Sequence, residues 1–225
     1  MLKFDGVTVS IAGVRILRDV RFTVEQSATL ALIGTNGAGK TSLLRTVMGF
    51  TSATGTITFD GKPLDKVPAA DRAGLGIGYA PEDRRLFSAF TVEENVLMPG
   101  QVAGLSAQDL AARRDRVYEI LPELQELAPR PAGSVSGGQG KMVALARALM
   151  IGTRLVMLDE PFQGLAPALA RRYAQALRAL RDRDPDITLI ITESNPGLLK
   201  KFADSALVIE RGEVRKANLD IVEAA

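Results

Sequence analysis

Hydrophobic positions change their period twice along this chain. In the first third they form short β-type runs divided by turns. Leu2–Ser10 alternates loosely, Phe22–Glu25 is brief, and Thr29–Ile33 is almost continuously apolar up to a glycine. Gly55–Asp60 alternates with threonine outward and closes on the turn signal Asp60-Gly61, and Ile77–Ala80 stops at Pro81. Each of these runs predicts a strand.

From about residue 84 to 150 the period becomes helical. Leu110, Val117, Ile120, Leu121 and Leu124 mark a stripe over Ser106–Leu124, with Ser106 and Asp109 as a capping pair at its start. Met142, Leu145, Ala146 and Leu149 predict a second helix with one buried face. Strand character returns at Leu155–Asp159 and Thr188–Thr192, two apolar runs of the kind buried in a parallel sheet. Between them Leu169, Tyr173, Leu177 and Leu180 predict a helix whose other face, carrying Arg171, Arg172, Arg178 and Arg181, reads as solvated. Ala206–Glu210 and Glu213–Arg215 around Arg211-Gly212 predict a terminal hairpin, followed by a polar tail over Lys216–Ala225 with no assignable task. The outline is an α/β sheet core interrupted by a helical insert: core 1–83 and 151–225, insert 84–150.

Composition narrows the chemistry. With 225 residues, 46% apolar and 24% charged, the chain can bury a real core. It has no cysteine and no histidine, which removes disulfides, a thiolate nucleophile, a histidine base and any ordinary zinc site. Carboxylates, amides, lysine and hard cations are what remain. A net charge of +2, no Trp and 5% aromatics give no field or stacking platform for nucleic acid. No apolar run reaches signal-peptide or membrane-spanning length, so a cytoplasmic chain, attached to a membrane only through a partner, is expected.

Gly34-Thr35-Asn36-Gly37-Ala38-Gly39-Lys40-Thr41 fits GxxxxGK[ST] and lies between the Thr29–Ile33 strand and a predicted helix, Lys40–Met48. Small residues let the backbone bend around phosphates with its amides inward, and the helix N-terminus adds partial positive charge. Lys40 would reach the β- and γ-phosphates, the Thr41 hydroxyl would ligate Mg²⁺, and Ser42 could donate near the α-phosphate. In Leu155–Glu160 an apolar strand ends in two acids at the carboxyl edge of a sheet. Asp159 suits the Mg²⁺ sphere and Glu160 could polarise an attacking water, although alone such a pair can equally be a helix cap. Ser136-Gly137-Gly138-Gln139 opens the Met142–Leu149 helix. Ser136 can cap it, while the two glycines could expose amides as a second anion site.

In this order and spacing, the phosphate loop, the SGGQ segment and LVMLDE resemble the ATP-binding subunit of ABC transporters over essentially the whole chain. The resemblance implies one ABC ATPase domain, with a P-loop, RecA-like core sheet, an N-terminal antiparallel β part and an inserted helical subdomain. It also implies head-to-tail dimers in which Ser136, Gly137 and Gly138, with Gln139 in the same set, contact the γ-phosphate of the partner's ATP. Pro81-Glu82-Asp83-Arg84-Arg85-Leu86-Phe87, Thr91–Asn95 and Gly164-Leu165-Ala166-Pro167 are similar to the shorter ATPase of branched-chain amino acid uptake systems, with urea and short-amide importers close by. That implies permease subunits in the membrane, a solute-binding protein acting through them, and a place on the cytoplasmic face of the inner membrane.

Within the family pattern, Glu82 stands where most members have glutamine and could still meet Mg²⁺ or its water. Ile11 aligns with the aromatic that stacks on adenine, at a cost on the order of 1 kcal/mol of base binding. Ser194 aligns with the histidine that touches the γ-phosphate, and is commonly glutamine in the branched-chain type. The leading expectation is thus an energy-coupling ATPase with Lys40, Glu160 and Ser194 in the chemistry. An ATP-binding clamp that hardly hydrolyses is the alternative. A DNA- or ribosome-acting cassette protein would bring paired cassettes or long inserts, and a P-loop kinase would leave SGGQ unexplained.

Overall fold

The chain opens with an antiparallel hairpin, β1 (Leu2–Ile11) and β2 (Val14–Val24), followed by β3 (Thr29–Ile33), α1 (Lys40–Val47), β4 (Thr54–Phe59), the two-residue β5 (Lys62–Pro63) and α2 (Ala69–Arg72). Next come β6 (Ile77–Ala80), α3 (Val92–Val102), α4 (Ala107–Ile120), α5 (Glu123–Leu127), α6 (Gly137–Ile151) and β7 (Leu155–Asp159). The last elements are α7 (Pro167–Arg183), β8 (Thr188–Glu193), β9 (Ser205–Glu210) and β10 (Glu213–Ala217). This computed structural model describes residues 1–218, so the expected tail lies outside the described residues from 219 on.

Contacts gather the chain into two units, one of Met1–Arg72 with the segment from Ile187 onward, the other of Ala73–Asp186. In the first unit β2-β1-β4-β5 form an antiparallel sheet, and β3 lies parallel between β8 and β9, with β10 antiparallel on β9. Every residue of β3 and β8 is buried, as a strand covered on both faces requires. In the second unit β6 runs parallel to β7, Ile77 opposite Leu155 and Ala80 opposite Leu158, and α3 and β6 both pack on α6. Ten of the fifteen residues of α6 are buried, whereas α7 is two-sided. It buries Ala170, Tyr173, Ala174, Ala176, Leu177 and Leu180 and leaves Arg171, Arg172 and Arg178 exposed, with Arg181 half-buried.

Three expectations are corrected. The short strand at Phe22–Glu25 is the end of the eleven-residue β2, whose first part was obscured because register shifts against β1 break its alternation. The stripe over Ser106–Leu124 is two helices. Pro122 drives Leu121 out of helical geometry (φ −129°, ψ 64°), so α4 stops and α5 starts anew. The stretch before Thr91 is a loop, in which Arg84 and Arg85 take successive left-handed conformations. The fully buried Asn95 accepts from the Phe87 N–H and donates to the Phe87 and Thr91 carbonyls, holding that loop against α3. The predicted cap at Ser106 is present, and α3 has a cap that was not among the expectations. Ser106 Oγ accepts from the Asp109 N–H at 3.1 Å, and α3 carries a Thr91–Glu94 capping box.

Candidate functional site

In the first unit the β3–α1 connection makes a tight cradle. The Gly34 N–H donates to the Glu193 carbonyl at the end of β8, and a Cβ on Gly34 would stand 2.5 Å from the Ile209 carbonyl oxygen. Gly39 caps α1 at φ 115°, a conformation that L side chains avoid, with no side chain capping the first turn. The chain's far end braces the loop. Gly212, in the β9–β10 turn, donates to the Ala38 carbonyl and accepts from the Arg18 N–H.

Lys40 is buried at the centre of this cradle. Its Nζ donates to the carbonyls of Gly34 and Thr35 and to Ser194 Oγ, while Ser194 Oγ donates to Asn36 Oδ1 at 2.9 Å. Ser194 is thereby brought to the phosphate loop. Thr41 and Ser42 are half-buried in the first turn of α1, and Thr35, Asn36 and Gly37 are exposed. Ile11 is 47% exposed and pairs across the β1–β2 hairpin with Val14, 61% exposed, so the hairpin tip offers an aliphatic surface. A cation, a hydroxyl and an uncapped helix start around a glycine-rich bend form a donor set that fits a polyphosphate.

In the second unit the acidic pair closes β7. Asp159 is buried and its Oδ2 accepts from the Tyr79 hydroxyl at 3.0 Å. Sequence reasoning passed over Tyr79. The signal was its place on the strand beside β7, opposite Met157. Glu160 is buried with φ 48°, the only buried residue among the described non-glycine residues of positive φ. Such a conformation costs about 1–3 kcal/mol and persists only where its surroundings enforce it. The Glu160 carbonyl accepts from the Gln163 N–H and from Lys141 Nζ, a second residue the motifs did not name. Glu82 lies exposed beyond β6.

Ser136 caps α6 in a full capping box: its Oγ accepts from the Gln139 N–H at 3.3 Å, and Gln139 Oε1 accepts from the Ser136 N–H at 2.9 Å. A Cβ on Gly138 would fall 1.8 Å from Leu169 Cδ2, so a side chain here would have to displace the end of Leu169. Arg84 donates to the Gly137 carbonyl at 3.0 Å, and Arg147 to the Arg85 carbonyl at 2.7 Å. Beside them Phe87 and Phe90 stack in the open at 5.7 Å. No three His, Cys, Asp or Glu side chains are grouped to hold a metal among the described residues, so a cation at Asp159 would draw further ligands from phosphate or water. Oxygen donors of this type suit Mg²⁺. No helix of the described residues is long and apolar enough to cross a membrane.

Residues 17–163 match the family model described as ABC transporter. The high-affinity branched-chain amino acid transport ATP-binding protein BraG of Pseudomonas aeruginosa is 37% identical over 215 residues, 95% of this chain and 91% of that protein. The probable branched-chain amino acid transport ATP-binding protein LivF of Archaeoglobus fulgidus is 30% identical, covering 95% of this chain and 90% of that protein. Among solved structures, an ATP-binding cassette of an ABC transporter in its ADP conformation superposes with a TM-score of 0.82 at 26% identity, over 96% of this chain and 89% of that one. A cassette solved as a dimer in a post-hydrolysis state with ADP and Pi shares the fold, with a TM-score of 0.86 at 22% identity over 97% and 99%.

Proposed function

The chain belongs to the ABC transporter family of ATP-binding subunits, and on that premise we propose that it is the ATP-hydrolysing, energy-coupling subunit of an importer for branched-chain amino acids or similar small polar solutes. The buried Lys40 ammonium at the start of α1 carries the reading, since a cation set among main-chain carbonyls at a helix N-terminus exchanges those partners for phosphate oxygens when ATP enters. The relatives named for branched-chain amino acid transport support the choice of solute class.

Lys40 and the amides of Gly34–Ser42 bind the β- and γ-phosphates, and adenine rests on Ile11. Thr41, Asp159 and Glu82 are the residues that would hold Mg²⁺, which neutralises charge on the transferring oxygens. Glu160 orients the water for in-line attack, the water's oxygen bonding to the γ-phosphorus as the bridging bond to ADP breaks. Ser194 adds a hydroxyl beside Lys40. A second ABC ATPase subunit, identical or homologous, supplies Ser136, Gly137, Gly138 and Gln139 across a head-to-tail dimer. Permease subunits dock at the groove beside Glu82 and the helical insert, where Phe87 and Phe90 offer apolar surface. The chain then works peripherally on the cytoplasmic membrane face.

The test is ATP turnover by the purified chain with Mg²⁺ as a function of protein concentration, beside Lys40→Ala and Glu160→Gln. A rate rising faster than linearly and abolished by both substitutions is the expected result. ATP binding without turnover, even with the permease added, would favour the clamp instead.

A further inference from the structure

Lys141 stands out on α6, where only it and Arg147 are charged in an otherwise apolar and glycine-containing sequence. A half-buried lysine on such a helix is costly to desolvate, so its partner matters. One partner is the main-chain carbonyl of Glu160. Glu160 also holds a left-handed backbone, φ 48°, while its residue is buried. Released from its surroundings, the residue would relax to negative φ and swing its side chain with it. The Gln163 N–H alone closes a loose bond of 3.3 Å to the same carbonyl. Lys141 further lines a water-sized cavity together with Asp159, Pro161 and Tyr173, beside the residue that precedes Glu160.

We propose that Lys141 is a positioning residue for Glu160. By donating to the Glu160 carbonyl it fixes the strained peptide, and with it the direction in which the carboxylate leaves the backbone. Ser136 caps the same helix five positions earlier, so the ammonium also joins the SGGQ segment to the acid within one chain. The inference rests on the proposed role of Glu160 in hydrolysis.

Lys141→Met, which keeps the stem and removes the donor, and Lys141→Arg, which keeps a donor, test it beside Glu160→Gln. For each, kcat and KM for Mg-ATP, the equilibrium affinity for ATP and the melting temperature are measured. Lys141→Met is expected to lower kcat about tenfold or more while KM and ATP affinity stay within about twofold, and Lys141→Arg to recover most of the loss. A Lys141→Met kcat equal to wild type overturns the proposal. So does a loss that follows ATP affinity and melting temperature in step, which would mark a packing role only. If Glu160→Gln itself turns over like wild type, the reading of Glu160 fails, and the Lys141 proposal with it. If Glu160→Gln is dead and Lys141→Met unaffected, only the Lys141 proposal fails.

Discussion

Lys40 Nζ and Ser194 Oγ lie 3.2 Å apart although 154 residues of chain separate them. The hydroxyl accepts from the ammonium and donates to Asn36 Oδ1, so one small side chain just past β8 is tied both to the buried lysine and to the loop around it. Lys40 keeps two carbonyl partners when that hydroxyl is lost. Ser194→Ala should therefore change ATP affinity by less than about threefold and slow turnover by about three- to tenfold, the worth of one hydrogen bond. Lys40→Ala should weaken ATP binding by about a hundredfold or more, as loss of a charge-assisted contact implies. Calorimetric titration with ATP beside steady-state turnover checks both, and a Ser194→Ala enzyme of undiminished rate would remove Ser194 from the site.

The Tyr79 hydroxyl donates to Asp159, the carboxylate proposed for Mg²⁺. A ligand so held has its carboxylate oriented through Oδ2. Tyr79→Phe should raise the half-saturating Mg²⁺ concentration about tenfold, in the range typical of an outer-shell partner. ATP affinity in excess chelator should not move, since no metal is then involved. Titrating turnover and nucleotide binding with Mg²⁺ separates the two.

Arg72 closes the far end of α1. Its guanidinium donates to the carbonyls of Thr46, Val47, Leu64 and Val67, and burial pulls its pKa down while Asp65 opposes that shift. Four acceptors lose their donor in Arg72→Met, a cost of about 3 kcal/mol. For a chain of this size that corresponds to a melting temperature lower by about 6–12 °C. A melting curve within 2 °C (roughly the shift of 1 kcal/mol) of wild type would show that water replaces the guanidinium.

Tyr118 has a buried hydroxyl with no hydrogen-bond partner among the described residues, and its pKa is pushed up to about 12, first by desolvation and then by the charge of Glu93. Because the folded value lies above the ordinary value of 10.0, the neutral form is favoured in the fold. The associated stability is present below pH 10 and is lost as pH rises towards 12. Tyr118→Phe should be neutral or stabilising by up to about 1 kcal/mol at pH 7, since it removes an unsatisfied group. It should also flatten the loss of stability between pH 10 and 12, which denaturant melts at several pH values would track.

What the sequence displayed best were elements whose pattern and purpose coincide. Thr29–Ile33, Leu155–Asp159 and Thr188–Thr192 are buried on both faces and announce it by continuous apolar stretches broken only at their ends, by Thr29, Asp159, Thr188 and Thr192. The phosphate loop, the SGGQ cap and the acidic pair were legible as spacings. Less visible was whatever depends on which strand lies beside which. Val14–Arg21 hid because its partner strand is irregular, and Pro122 was masked by the apolar stripe running past it. Tyr79 and Lys141 were hidden for the same reason: their importance comes from a neighbour 80 and 19 residues away, and neither carries a local pattern.

The turn at Gly212 has a consequence for how the molecule is made. β3 is flanked by β8 and β9, and the phosphate loop is braced by residue 212, so the first unit waits on a stretch of chain translated after the whole of the second unit. The second unit is one uninterrupted stretch, Ala73–Asp186, and can close while the first is still unfinished. Biosynthesis therefore allows an inverted order, in which the middle of the chain closes before its beginning. A chain truncated ahead of Gly212 is left with a phosphate loop whose brace was never translated, so holding that loop in place requires translation at least as far as Gly212.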